Sequence, residues 1–158
     1  MPRLSAALDR RLVLKGLAAL PAAAALPRTA RAADGEAVLL SIADLHSPYA
    51  RLPALLAAVR KVLAENGGRP AAMVINGDIF ERGNVAATRS GAQADWAFLA
   101  ALAAELPLVI NLGNHETAIL DDMAGFVARA TGIGAQVIGN IVDRRTGRFF
   151  APVGTRLG

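Results

Sequence analysis

Apolar runs of strand length recur along this chain and alternate with segments of helical periodicity. Three runs rich in Val, Ile, Leu and Ala cover residues 37–43, 72–76 and 108–112, and a shorter run covers residues 136–138. Continuous apolar runs of this length are typical of strands that are buried on both faces of a parallel sheet. We therefore predict four strands in one mostly parallel sheet.

The segments between these runs carry apolar residues at helical spacing. The first predicted helix is defined by Leu52, Leu55, Leu56, Val59, Val62 and Leu63, with Pro53 in its first turn and Asn66-Gly67-Gly68 at its end. Residues 77–89 are predicted to form a polar loop. Ser90 is predicted to cap a second helix, whose inner face holds Trp96, Leu99 and Leu102.

A third helix and a hairpin complete the predicted elements. The helix follows from Ile119, Met123, Phe126 and Val127 and ends at Gly132, and Gly147 is predicted to turn a short hairpin through Phe149-Phe150. Strands that alternate with helices indicate an α/β fold, in which right-handed crossovers place helices against the sheet. The residues are 54% apolar but only 4% aromatic, which predicts an aliphatic core.

The positive charge of the chain is concentrated near its N-terminus. The formal net charge is +4, but residues 1–32 carry Arg3, Arg10, Arg11, Lys15, Arg28 and Arg31 against the single acid Asp9. Without them the chain has one more acidic than basic residue, so the charge gives no reason to expect a nucleic-acid partner. The sequence has no Cys, which excludes disulfides and thiolate metal ligands.

Residues 1–32 have the order of a bacterial export signal. A basic region that contains Arg10-Arg11 precedes the apolar stretch 16–26, and small residues follow, with cleavage expected after Ala32. The paired arginines resemble a twin-arginine signal, which predicts a periplasmic or secreted protein. Pro21 interrupts the apolar stretch, which is too short for a stable membrane span. The alternative is an ordinary amphipathic helix.

Three polar motifs directly follow the first three predicted strands. They are Asp44-Leu45-His46, Gly77-Asp78 and Gly113-Asn114-His115-Glu116. Ligands of open α/β sheets bind beyond the carboxyl ends of the strands, so we expect these side chains at one rim. If the backbone stays extended, Asp44 and His46 face the same way. The first two motifs alone are more often turns and the third alone is as often functional as not, but three of them at three strand ends favour a functional site.

Carboxylate, imidazole and amide groups form the predicted ligand set, which consists of Asp44, His46, Asp78 and Asn114. Mixed nitrogen and oxygen ligands favour Zn, Mn, Fe or Co over Ca. Two such cations about 3.5–4 Å apart can generate hydroxide from water and stabilise charge on phosphoryl oxygens. His115, beside Asn114, is expected to donate a proton to the leaving oxygen. The predicted reaction is hydrolysis of a small phosphate ester.

These motifs resemble those of the calcineurin-like metallophosphoesterases. The matching segments are residues 44–46, 77–83 and 113–116, in the order and spacing of that family. The resemblance implies a layered α/β fold and two divalent cations. It also implies the ligand roles: Asp44 and His46 bind the first cation, Asp78 bridges both, and Asn114 binds the second.

The resemblance assigns three further residues. It implies that His115 is the general acid or a phosphate-contacting residue, that Arg82 binds phosphate, and that Glu81 orients the catalytic histidine. The export signal and residues 138–143 resemble the periplasmic 5′-nucleotidase branch. That branch usually has Asp where this chain has Ala118, and Glu81-Arg82 resembles the protein phosphatases instead.

His46 and His115 are the only histidines of the sequence. The resemblance implies at least two further histidine-bearing motifs after the third motif, so the first cation would lack one ligand and the second would lack two. We therefore expect residues 33–158 to be the N-terminal half of a catalytic domain, completed by a further C-terminal segment. The alternatives are a non-catalytic fragment that binds metal weakly or not at all, and a small exported binding module whose motifs are turns.

Overall fold

The computed structural model describes residues 36–120 and 122–156. The predicted export signal and its cleavage point after Ala32 lie outside the described residues. Within the described part of the chain, no helix combines the length and the hydropathy that a membrane span requires.

Four strands and five helices are present in the described residues. In chain order they are β1 (Val38–Ala43), α1 (Leu52–Glu65), β2 (Ala71–Asn76), α2 (Val85–Ser90), α3 (Gln93–Glu105), β3 (Leu108–Asn111), α4 (Thr117–Leu120), α5 (Met123–Gly132) and β4 (Gln136–Ile138). The strands form one parallel sheet in the order β1-β2-β3-β4. The predicted α/β fold, with a mostly parallel sheet flanked by helices, is confirmed.

The core lies between the helices and one face of this sheet. The register aligns Ile42, Ile75, Ile110 and Val137 across the four strands, and the side chains of Ile75 and Ile110 are fully buried. The helices cover them with buried side chains that include Val59, Trp96, Leu99, Leu102, Phe126 and Ala130. Burial of each large apolar side chain contributes roughly 1.5–3 kcal/mol to stability, so this face holds the sheet and helices together.

An aromatic cluster ties the loop after β2 to this core. Phe80 lies two residues after Asp78, is fully buried, and has its ring centroid 5.4 Å from that of Trp96 and 5.7 Å from that of Phe126. Such tilted and edge-to-face pairs add to the gain from burial. The residues just after the second polar motif are therefore anchored by packing.

The region predicted as a polar loop contains a helix instead. Asn84 caps α2, because its Oδ1 accepts hydrogen bonds from two backbone N–H groups of the first turn at 3.0 and 3.2 Å. Ser90, predicted as the cap of the following helix, is the last residue of α2. The next helix, α3, begins after Ala92, which has a left-handed φ of 59°. Ser90 Oγ does accept a weak hydrogen bond from Gln93 N at 3.4 Å.

The predicted third helix is divided into α4 and α5. Asp122 starts α5, where its Oδ1 accepts a hydrogen bond from Ala124 N at 3.0 Å. A capping carboxylate competes with the helical hydrogen-bond pattern, so a helix begins again here where the apolar spacing predicted continuity. The predicted hairpin is confirmed by an antiparallel bridge between Val142 and Phe149, with Gly147 in its turn.

Candidate metal centre

The three polar motifs lie at the carboxyl ends of β1, β2 and β3. The register pairs Ala43 with Asn76 and Asn76 with Asn111, so the three strands end level with one another. Because the strands are parallel, the loops that follow them leave the sheet at the same edge. This edge places the three predicted motifs side by side.

Left-handed backbone conformations shape the first two loops. The φ angles are 52° at Asp44, 51° at His46, 48° at Ser47 and 53° at Asp78. Such residues cost roughly 1–3 kcal/mol each and persist where the surrounding structure holds them. The backbone from Asp44 to His46 is therefore not extended, so the condition under which the two side chains would face the same way is not met.

Two groups of side chains at this edge have the spacing of metal ligands. Asp44, His46 and Asp78 each offer one ligand atom within 4.8 Å of the others, and His46, Glu81 and His115 do the same. Nitrogen and oxygen ligands bind cations such as zinc at about 2.0–2.2 Å, and ligand atoms grouped this closely are compatible with a shared cation. Three of the four predicted ligands thus converge.

Asn114, the fourth predicted ligand, lies exposed in the loop after β3. The next residue joins that loop to the second motif, because the backbone N–H of His115 donates a hydrogen bond to Oδ1 of Asp78 at 2.9 Å. Arg82 is exposed, and its Nε donates to the carbonyl of Ala118 at 2.8 Å. The predicted phosphate-binding arginine is therefore attached to the segment that follows the third motif.

Glu81 lies between the two histidines of the chain. Its Oε2 is 3.2 Å from Nδ1 of His46 and 3.9 Å from Nδ1 of His115. The two imidazole rings meet edge to face, with centroids 4.7 Å apart. A carboxylate that accepts a hydrogen bond from one ring nitrogen fixes the tautomer and leaves the other nitrogen available for a metal. Glu81 is hydrogen-bonded to the predicted ligand His46, whereas the resemblance assigned it to His115.

The ionisation of Glu81 suits this position. The backbone N–H of Gly83, which donates to Oε1 at 2.7 Å, lowers the pKa of the Glu81 carboxyl below its usual value, and the two neighbouring imidazoles lower it further. A carboxylate that stays ionised can accept a hydrogen bond from an imidazole N–H throughout the neutral range.

Glu116 is a fully buried carboxylate that joins the second and third loops. Its Oε2 accepts from the backbone N–H of Gly113 at 2.9 Å, and its Oε1 accepts from that of Ile79 at 3.4 Å. Burial raises the pKa of Glu116, and the charge of Asp78 acts in the same direction. One oxygen therefore binds the residue that follows Asp78, and the other binds the glycine that lies two residues before His115.

The same two loops touch through glycines. A Cβ added to Gly77, whose φ is 66°, would lie 2.7 Å from Cα of Gly113. A Cβ added to Gly113 would collide with Oδ1 of Asp78 and lie 2.5 Å from its backbone nitrogen. A larger residue at either position would push the loops apart.

Two buried acids were missing from the predicted site. Glu116 belongs to the third polar motif, but the sequence alone assigns it no role. Asp95 lies outside the polar motifs, shares the inner face of α3 with Leu99 and Leu102 at helical spacing, and is only 1% exposed. A charged residue at a core-facing helix position is the signal that identifies it.

The residues at this edge fit a divalent cation. Nδ1 of His115 is buried and, among the described residues, makes no hydrogen bond. A buried polar atom without a partner costs about 1–3 kcal/mol, which a bound ligand can offset. The donor set of carboxylates and imidazoles suits Zn, Mn, Fe or Co.

A family model of the calcineurin-like phosphoesterases matches residues 38–152. The match covers all four strands and all three polar motifs, and it spans well over half of the chain. The chain belongs to the calcineurin-like phosphoesterase family, so the resemblance predicted from the motifs is confirmed. The 5′-nucleotidase branch stays a prediction.

Curated proteins gave no match to the chain. Solved structures gave none either. The family match and the candidate ligand groups together support a metal-dependent phosphoesterase.

Proposed function

We propose that this domain hydrolyses phosphate esters at a centre of two divalent cations, which are Mn, Zn, Fe or Co. In this proposal Asp44 and His46 bind the first cation, Asp78 bridges both and Asn114 binds the second. The observation that carries it is the convergence of ligand atoms from Asp44, His46 and Asp78 within 4.8 Å at the strand ends, in a chain of this family.

The protein residues have distinct proposed roles in the reaction. When bound, the cations supply a water of lowered pKa and stabilise charge on the phosphoryl oxygens. His115 donates a proton to the leaving oxygen, a role that contributes roughly 10²–10⁴-fold to rate. Glu81 orients His46, and its Oε2 lies 3.9 Å from Nδ1 of His115. Arg82 pairs with phosphate oxygens, for which a guanidinium has the right geometry.

The substrate and the location of the protein are proposed from the sequence. The likeness of residues 138–143 to the 5′-nucleotidase branch favours a small phosphorylated substrate such as a nucleotide, while Ala118 departs from that pattern. Residues 1–32 support export to the periplasm or the medium, with residues 33–158 forming the partial catalytic domain.

The decisive experiment measures turnover of p-nitrophenyl phosphate with added Mn²⁺ or Zn²⁺. Asp78→Asn should lower turnover at least about 100-fold, the order of loss when one key electrostatic group is removed. The matched control is Asp122→Asn, which changes an exposed cap of α5 to a residue that caps equally well. Equal turnover in the two variants would contradict the proposal.

The histidine count favours a second candidate, a fragment that keeps the fold but binds metal weakly and does not turn over. The sequence has two histidines, and both already belong to the ligand groups described above. Metal analysis separates the candidates: two bound cations with turnover support the enzyme, and one or none without turnover supports the fragment.

A further inference from the structure

Ser47, which follows the ligand His46, is the junction of the first two loops. It is 2% exposed, and its backbone N–H donates to the carbonyl of Ile79 at 2.8 Å. Its own carbonyl accepts from Nδ2 of Asn84 at 2.7 Å, and its Oγ accepts from the backbone N–H of Glu81 at 3.1 Å. The position of Glu81, and with it the hydrogen bond from His46, therefore depends on Ser47.

The hydroxyl group of Ser47 has a second partner in a distant helix. It donates to Oδ2 of Asp95, in the first turn of α3, at 3.2 Å. A hydroxyl group rotates freely until a partner fixes its hydrogen. Because Asp95 takes the hydrogen, a lone pair of Ser47 Oγ is directed towards the N–H of Glu81. Asp95 thereby selects the orientation in which Ser47 holds the Glu81 backbone.

Asp95 is a carboxylate buried in an apolar core, where an apolar side chain would be expected. Burial disfavours the charged form of a carboxyl group, and an apolar residue on the same helix face would pack without that penalty. Leu99 and Leu102 show that the neighbouring inner positions of α3 are apolar. The hydrogen bond of Asp95 to the loop that carries His46 is the feature that an apolar side chain could not provide.

We propose that Asp95 is a positioning residue for the metal centre, acting through the Ser47 hydroxyl group on Glu81 and His46. The backbone at His46 and Ser47 is left-handed, at φ 51° and 48°, so it depends on surrounding contacts to hold its shape. Loss of either hydroxyl partner lets this turn and the Glu81 backbone relax. The inference deepens the proposed function, on whose metal centre it rests.

The test is a titration of the metal-free chain with Co²⁺, in which calorimetry and visible absorption measure the binding. Asp95→Ala and Ser47→Ala should each weaken Co²⁺ binding about ten-fold, the lower end of the loss for residues that support metal ligands. The double variant should bind no more weakly than either single variant, because both changes break the same relay. Asp95→Asn should bind within about three-fold of the unaltered chain, since an amide oxygen still accepts from Ser47. Thr131→Ala removes a hydroxyl group from an exposed position of α5; it is the matched control and should leave binding unchanged.

A readout without metal separates this inference from the proposed function. The chain has two histidines, so His46→Asn assigns both ring signals in nitrogen-15 NMR spectra. Ser47→Ala and Asp95→Ala should move the His46 ring from one tautomer towards a mixture, and Thr131→Ala should not.

The Co²⁺ titration and the His46 tautomer together distinguish failure of the proposed function from failure of the positioning role. If the unaltered chain binds no Co²⁺, the proposed function is contradicted, and the tautomer of His46 still decides the positioning role. If Co²⁺ binds but folded Asp95→Ala or Ser47→Ala binds it equally well, or if their losses add, the positioning role is overturned. Should Asp95→Ala fail to fold, Ser47→Ala and Asp95→Asn decide the question alone.

Discussion

The first and third loops each present a histidine at the same edge of the sheet, but buried carboxylates of different origin hold them. In the third loop the carboxylate is Glu116, which accepts a hydrogen bond from the backbone N–H of Gly113, three residues earlier. In the first loop it is Asp95, which lies 48 residues beyond Ser47 in the sequence. The third loop carries its own support within a short motif, whereas the first depends on the docking of α3. A local motif can therefore reveal one support but not the other.

The strongest test of this comparison is removal of the support of the third loop. Glu116→Ala leaves the N–H groups of Gly113 and Ile79 without their acceptor in a buried site and opens a cavity. Each unpaired group costs about 1–3 kcal/mol, so we expect a loss of roughly 3–5 kcal/mol in the free energy of unfolding. Urea denaturation of the metal-free chain measures it.

The matched control for this change is Glu105→Ala. Glu105 is exposed and pairs with Arg60 at 2.8 Å, so its removal should cost under about 1 kcal/mol. Similar losses for the two variants would show that Glu116 is not a support of the third loop.

Contact between the second and third loops gives the next largest effect. Gly113→Ala places a Cβ against the side chain and backbone of Asp78, and the loops must separate. We expect a loss of about 3 kcal/mol, at the upper end for overpacking, together with weaker Co²⁺ binding.

Gly132→Ala is the paired control, because a Cβ at this end of α5 meets nothing within 4 Å. It should raise stability by about 0.4–1 kcal/mol through the unfolded state. Opposite signs for the two glycines are expected in urea denaturation. A Gly113→Ala variant as stable as Gly132→Ala would exclude the close contact.

The distant support of the first loop should matter less for stability than for metal binding. Ser47→Ala removes the donor of Asp95 and the acceptor of the Glu81 N–H, which we expect to cost about 1–3 kcal/mol of unfolding free energy. Asp95→Asn should cost less, because the amide keeps an acceptor for Ser47. If Ser47→Ala destabilises the chain as much as Glu116→Ala, the two loops do not differ as described.

The fold and most of the predicted ligands follow from local sequence patterns. Apolar runs bounded by polar motifs identify buried strands without any tertiary information, and parallel strands bring those motifs to one edge. Two helix starts were predicted incorrectly, and both have a local cause. Asn84 starts a helix in a segment predicted as a polar loop, and Asp122 starts one where the apolar spacing predicted a continuous helix. Asn and Asp side chains can bond to nearby backbone N–H groups and so start a helix at a point that the apolar spacing does not mark.

The remaining part of the site depends on long-range contacts that no spacing encodes. The left-handed backbone at His46 and Ser47 is stabilised by hydrogen bonds to the loop after β2, from His46 N to the carbonyl of Asp78 at 3.0 Å and from Ser47 N to that of Ile79 at 2.8 Å. The contact of Glu81 with His46 also follows from how these two loops meet. Such pairings are set only when the sheet and helices have packed.

The smallest expected effect is a change in the pH dependence of stability, and it tests whether both supports are buried acids of the same kind. Burial raises the pKa values of Glu116 and Asp95 above the ordinary values of 4.5 and 3.8. The folded chain therefore keeps these protons at a pH where the unfolded chain releases them, so stability falls as pH rises above those ordinary values. Glu116→Gln and Asp95→Asn should each make the fall shallower in urea denaturation across this range. Glu81→Gln should instead change stability at acid pH. The lowered pKa of Glu81 contributes stability that is lost as pH falls below 4.5, and the variant should not show this loss. An unchanged profile in Asp95→Asn beside a flattened one in Glu116→Gln would show that only the third loop rests on a titrating acid.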